Sequence, residues 1–101
     1  MRVTVVPATT GEEDREYVFD IHNHGSMELT SCSPGALALF VEVGTSTVAF
    51  RTDQVCKGHV LINDEPYDHT AVAPGDRLSF IRTPGHADEL TVPIGTITKV
   101  E

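Results

Sequence analysis

Hydrophobic and polar positions alternate with a period of two through most of this chain, and glycine or proline interrupts the alternation every few residues. Val3, Val5 and Pro7 fall on one face of an extended segment. Tyr17, Phe19 and Ile21 do the same, with Glu16, Asp20 and His22 on the opposite face. Residues 36–43 form an apolar run that reads as a strand buried on both faces or as a short helix. Gly44-Thr45-Ser46 then turns the chain into residues 47–52, and segments 59–63, 70–73, 77–82 and 90–100 complete the set. Only residues 45–57 carry a competing helical spacing, in Val48, Thr52 and Val55. Elsewhere the breakers leave no room for a long helix, because each costs about 1–3 kcal/mol inside one. The pattern predicts an all-β fold: a single small barrel or sandwich of about eight short antiparallel strands, with at most one short helix.

Size and composition narrow the picture. At 101 residues the chain has room for one core, so residues 1–101 are expected to form one domain. A hydrophobic content of 40% is too high for a disordered acidic chain. No apolar run approaches the roughly 20 residues of a membrane-spanning helix, and the amino terminus lacks the features of a signal peptide. The expectation is a soluble, cytoplasmic protein with no membrane partner. Fifteen acids against seven scattered bases give a net charge of −8, which excludes the basic stripe that nucleic-acid binding needs. A local patch around Arg51 and Lys57 would act against that global field. The acid clusters at 12–16, 64–68 and 88–89 fall at predicted turns and read as solvated loops. Cys32 and Cys56 lack C-x-x-C spacing and read as reduced, buried small residues, a pairing between them being left open.

The five histidines supply the candidate chemistry. His22 and His24, two apart on an extended segment, project from one face, and a turn at Gly25-Ser26 would return Glu28 beside them. Two imidazoles and a carboxylate with open positions suit iron, manganese, nickel or zinc. A fourth ligand would come from His59, His69 or His86. Other chemistries are poorly served. There is no Gly-x-Ser-x-Gly elbow and no phosphate loop, and serines beside histidines on one strand rarely form a triad.

The segment His22-x-His24, three residues, Glu28, six residues and Gly35 resembles the first motif of the cupin family, with Glu16 where that motif has its leading glycine. Gly75 precedes His86 by the interval of the second cupin motif, with Ile81, Thr83 and Leu90 where that motif has proline, glycine and asparagine. The resemblance covers residues 16–90. It implies a small β-barrel holding a divalent transition metal through His22, His24, Glu28 and His86, in an oxygenase or isomerase acting on a small molecule. A second likeness, through residues 58–63 and Pro74-Gly75-Asp76, is to the closing hairpin of S4-type RNA-binding and β-grasp domains; the acidic balance opposes its RNA-binding form. The other functional class open to the sequence is a non-enzymatic β module, a structural or interaction subunit of a larger assembly such as a virus. Such a module would hide its strand edges against a second copy of itself or another protein.

Overall fold

The computed structural model describes residues 1–8, 14–33, 35, 37–52, 54–69 and 71–101, the side chain of residue 33 excepted. Glu12 and Glu13 of the first acid cluster, Pro34, Ala36 and Thr70 of the predicted segments lie outside the described residues. The described chain is all-β and forms one small domain. Its strands are β1 (Arg2–Pro7), β2 (Glu16–Ile21), β3 (Met27–Ser33), β4 (Ala38–Val43), β5 (Ser46–Arg51), β6 (Val55–Cys56), β7 (Gly58–Ile62), β8 (Glu65–Pro66), β9 (Arg77–Arg82) and β10 (Leu90–Val100). Two of the ten, β6 and β8, are only two residues long. Of the residues with competing helical spacing, Val48 lies in β5, Val55 in β6 and Thr52 in an isolated bridge to Leu29, and no helix occurs among the described residues.

Eight strands form one sheet in the order β6-β3-β2-β1-β10-β9-β7-β8, and β4 and β5 form a separate hairpin. The two-residue period explains how each strand sits. In β1 and β2 every second residue is buried, so Val3, Val5, Tyr17, Phe19 and Ile21 line the inner face. The β4–β5 hairpin covers that face, packing against β3 and β10. It contributes Leu39, Val41, Val48 and Phe50 to a continuous core. The Phe50 ring meets Phe19 and Phe80 edge to face, at centroid distances of 6.4 and 5.8 Å.

One end of the strand order, β6, runs directly into β7, the next-to-last strand at the other end. β6 pairs with β3, placing Cys56 opposite Met27, and two residues later β7 pairs with β9, placing Gly58 opposite Arg82. The sheet is therefore rolled, with its gap spanned by residues 55–62 and not closed by a ladder. Because Met27 and not Cys32 faces Cys56, the cysteines stay apart, and both are free thiols.

The predicted strand at 70–73 does not form at residues 71–73. There the Ala73 N–H is donated to Asp76 Oδ2 and the Ala73 carbonyl accepts the Asp76 N–H, closing a turn where a ladder would run. Asn63 Nδ2 donates to the other oxygen of Asp76, and Asn63 Oδ1 accepts the Arg77 N–H, fixing the entry to β9. Those bonds hold the Asp76 carboxyl below its ordinary range, the Ala73 amide first and Asn63 second.

Candidate functional site

The first candidate lies at the turn between β2 and β3. The His22 carbonyl accepts the Gly25 N–H and the His22 N–H is donated to the Ser26 carbonyl, both at 2.9 Å. The turn puts Gly25 at φ +94°, a conformation that costs glycine little. A Cβ at Gly25 would also lie 2.6 Å from the His59 ring, while its carbonyl accepts the Val60 N–H. His59 Nε2 donates in turn to the Tyr67 carbonyl at 2.9 Å, so the ring is a brace between elements.

Of the four residues expected to hold a metal, the turn brings His22 and Glu28 to 4.0 Å between Nε2 and Oε2. The His24 ring stacks on His22 at a centroid distance of 5.8 Å, but His24 Nε2 is hydrogen-bonded to the buried Ser26 hydroxyl at 2.6 Å. His86 lies in the β9–β10 turn, where its backbone bonds to Thr83 and Glu89. Among the described residues no group of three His, Cys, Asp or Glu side chains is placed to hold an ion. The His22 side chain is 38% exposed, yet its Nε2 is buried and has no hydrogen-bond partner.

The second candidate is a groove of about 490 Å³ beside β5, which sequence reasoning did not single out. One wall is four consecutive residues, Thr47 to Phe50, and the other is β6 with the end of β9. Beyond Thr47 the groove continues for about 420 Å³ past Ser46 toward Asp88 and Leu90. Four consecutive residues line a groove only when a strand presents its edge to it. The hairpin register explains why β5 does so. β4 and β5 are joined by the two residues Gly44 and Thr45, and Gly44 has φ +60° while Thr45 is not at positive φ, as a type II′ turn requires. Such a turn closes on the hydrogen-bonded pair Val43 and Ser46. By alternation Val48 and Phe50 also bond to β4, whereas Thr47 and Ala49 turn their N–H and C=O groups away from it. A parallel bridge between Thr52 and Leu29 pins the far end of β5 to β3. From Phe50 back to Ser46, no strand among the described residues runs along that edge.

The groove is apolar at its base and cationic at one corner. Phe50 and Phe80 form its base, and both Lys57 and Arg82 line it. Burial pushes the Cys56 thiol up to about 11, the Arg82 charge acting weakly in the opposite direction. On the outer face of the same hairpin, Phe40 is 64% and Leu37 81% exposed. With Ala49, Arg15 and Arg51 they line a shallow apolar hollow. The close spacing of Arg51 and Lys57 was the one sequence signal of this region. No protein-family model, curated protein or solved structure matches the chain.

Proposed function

We propose that the protein is a non-enzymatic β module, an interaction subunit that takes an extended strand of a partner polypeptide into the groove beside β5. The observation that carries this reading is the edge itself: Thr47 and Ala49 direct paired donors and acceptors into an apolar-based groove, with no third strand among the described residues beside them. Proteins usually protect such an edge with charge, proline or a bulge. Here the two edge positions are threonine and alanine, and the hairpin's outer face adds exposed Phe40 and Leu37. Contiguous apolar surface of this kind commonly marks an interaction site. Replacing Ala49 with proline removes only an N–H that points away from β4, a substitution tolerated at strand edges. A displayed random decapeptide library should enrich binders on the wild-type protein and lose them on Ala49→Pro. Clones that bind both forms equally, or no enrichment, would remove the reading.

A second reading rests on the unpartnered Nε2 of His22 beside Glu28. With a divalent ion bound, these two side chains would serve as ligands, the ion supplying Lewis acidity. Metal analysis of untagged protein tests it. Less than a tenth of an equivalent, with no change on His22→Ala, would remove it.

A further inference from the structure

We propose that the strand received beside β5 is acidic, its carboxylates held by Lys57 and Arg82; this inference rests on the strand-addition reading and names the partner's chemistry. The molecule carries seven bases against fifteen acids. Three of the bases are already committed: Arg2 to Asp20, Arg77 to Asp64 and Lys99 to Glu101, at 3.0, 2.9 and 3.5 Å. Arg51, Lys57 and Arg82 make no ion pair among the described residues, and all three are exposed. They surround β5. Arg51 ends that strand, while Lys57 and Arg82 form part of the facing wall. Arg82 lies opposite Gly58 in the β7–β9 ladder and Lys57 immediately precedes Gly58, so the two cations share one corner of the groove. Among the described residues, the single acid lining the groove, Asp88, belongs to its far extension beside Leu90.

Uncommitted positive charge is thus gathered at one edge of a molecule of net charge −8. An acidic strand is repelled by the molecule as a whole and attracted at this corner, which selects both the site and the orientation of approach. A basic strand would gain from the global field but bring like charge against Lys57 and Arg82. In an added strand successive side chains point to opposite faces. Apolar residues at alternate positions would face Phe50 and Phe80, and carboxylates between them would lie within reach of the long side chains at the rim. Charge-assisted bonds of that type are roughly twice as strong as neutral ones.

The test uses a fluorescein-labelled, amide-capped heptapeptide, Thr-Val-Glu-Val-Glu-Val-Thr, and counterparts with both glutamates replaced by glutamine or lysine. Anisotropy titrations compare the wild type with Lys57→Gln/Arg82→Gln and with Ala49→Pro, each checked for native melting. Amide exchange in the wild type reports directly on the edge. The glutamate peptide should bind the wild type about tenfold or more tightly than the glutamine peptide. That preference should vanish in the double variant and in about 1 M NaCl, where charges are screened beyond about 3 Å. The Thr47 and Ala49 amides should become protected, and Ala49→Pro should lose all binding. If glutamate and glutamine peptides bind equally and both are lost on Ala49→Pro, the acidic preference is wrong and the strand reading stands. If the lysine peptide binds best, the preference is reversed and the inference falls. Failure of every peptide to bind, or glutamate-peptide binding that leaves Thr47 and Ala49 unprotected, overturns both. Concentration-dependent self-association that Ala49→Pro abolishes would make a second copy the occupant and overturn the acidic-partner inference.

Discussion

Cys56 shows how one residue reports on the groove. Its thiol lies between the β3 ladder and the groove, and burial raises its pKa from 9.0 to about 11. The thiolate fraction at pH 8 is therefore about a hundredfold below that of an ordinary thiol, and thiolate is the reactive form. Arg82 opposes the shift because a nearby cation favours the thiolate. Two consequences follow for labelling with iodoacetamide. Cys56 in native protein should react far more slowly than after unfolding, and Arg82→Gln should slow it further. Mass spectrometry of the labelled peptides separates Cys56 from Cys32, whose thiol is also raised by burial. Faster labelling of Cys56 in Arg82→Gln would mean that the arginine shields the thiol sterically and is not acting through its charge. The sequence showed Cys56 as a small apolar residue, but its neighbours come from β3 and β9, which no local pattern reveals.

The β4–β5 hairpin separates what periodicity shows from what it hides. Residues 36–43, apolar but for Glu42, read as one run, and the structure divides it: Leu39 and Val41 enter the core while Phe40 is 64% exposed. Apolarity alone does not distinguish a core position from a surface that serves a partner, so both wall and core looked alike in the sequence. The two phenylalanines of the hairpin make opposite predictions. Phe50, packed edge to face on Phe19 and Phe80, should cost about 3–5 kcal/mol on replacement by alanine. Phe40→Ala should change stability by no more than about 0.5 kcal/mol, the usual range for an exposed position. Urea unfolding of both variants measures this, and a Phe40 effect approaching that of Phe50 would show the outer face to be part of the fold's core. The His22–Glu28 approach was legible because it depends on a local hairpin, one turn bringing residues six apart together. His86 was one of three distant histidines offered as a fourth ligand and was chosen among them by the resemblance, and its position in the β9–β10 turn depends on the order of distant strands.

For the whole molecule, an all-β domain was legible from period and punctuation, whereas the strand order was not. Alternation names strands without naming their neighbours, and the roll of the sheet depends on residues 55–62 serving both of its ends. The groove was hidden for a related reason, since it is built from a backbone edge and from strands distant in sequence. Charge, by contrast, can be counted in the sequence but must be located in the fold. The three lysine and arginine ion pairs among the described residues lie at the surface, where solvent and salt screen them and each contributes little. Self-repulsion at net −8 acts on every acid at once, so it should outweigh them at low salt and neutral pH. Melting temperature should then rise by about 2–4 °C on adding salt at pH 7, an effect worth roughly 0.5 kcal/mol. It should also rise as pH falls from 7 toward the isoelectric point near 4.9, as the net charge is titrated away. Below about pH 4 the trend should reverse. Asp20, bonded to Arg2, and Asp76, bonded to Ala73 and Asn63, both have lowered pKa values in the fold. Their stabilisation is complete above the unfolded carboxylate pKa and is lost as pH falls through the lower folded values. Calorimetry from pH 7 to pH 3 at two salt concentrations tests the balance. A melting temperature that falls on adding salt at pH 7 would show that specific ion pairs, and not net repulsion, govern the stability of this acidic domain.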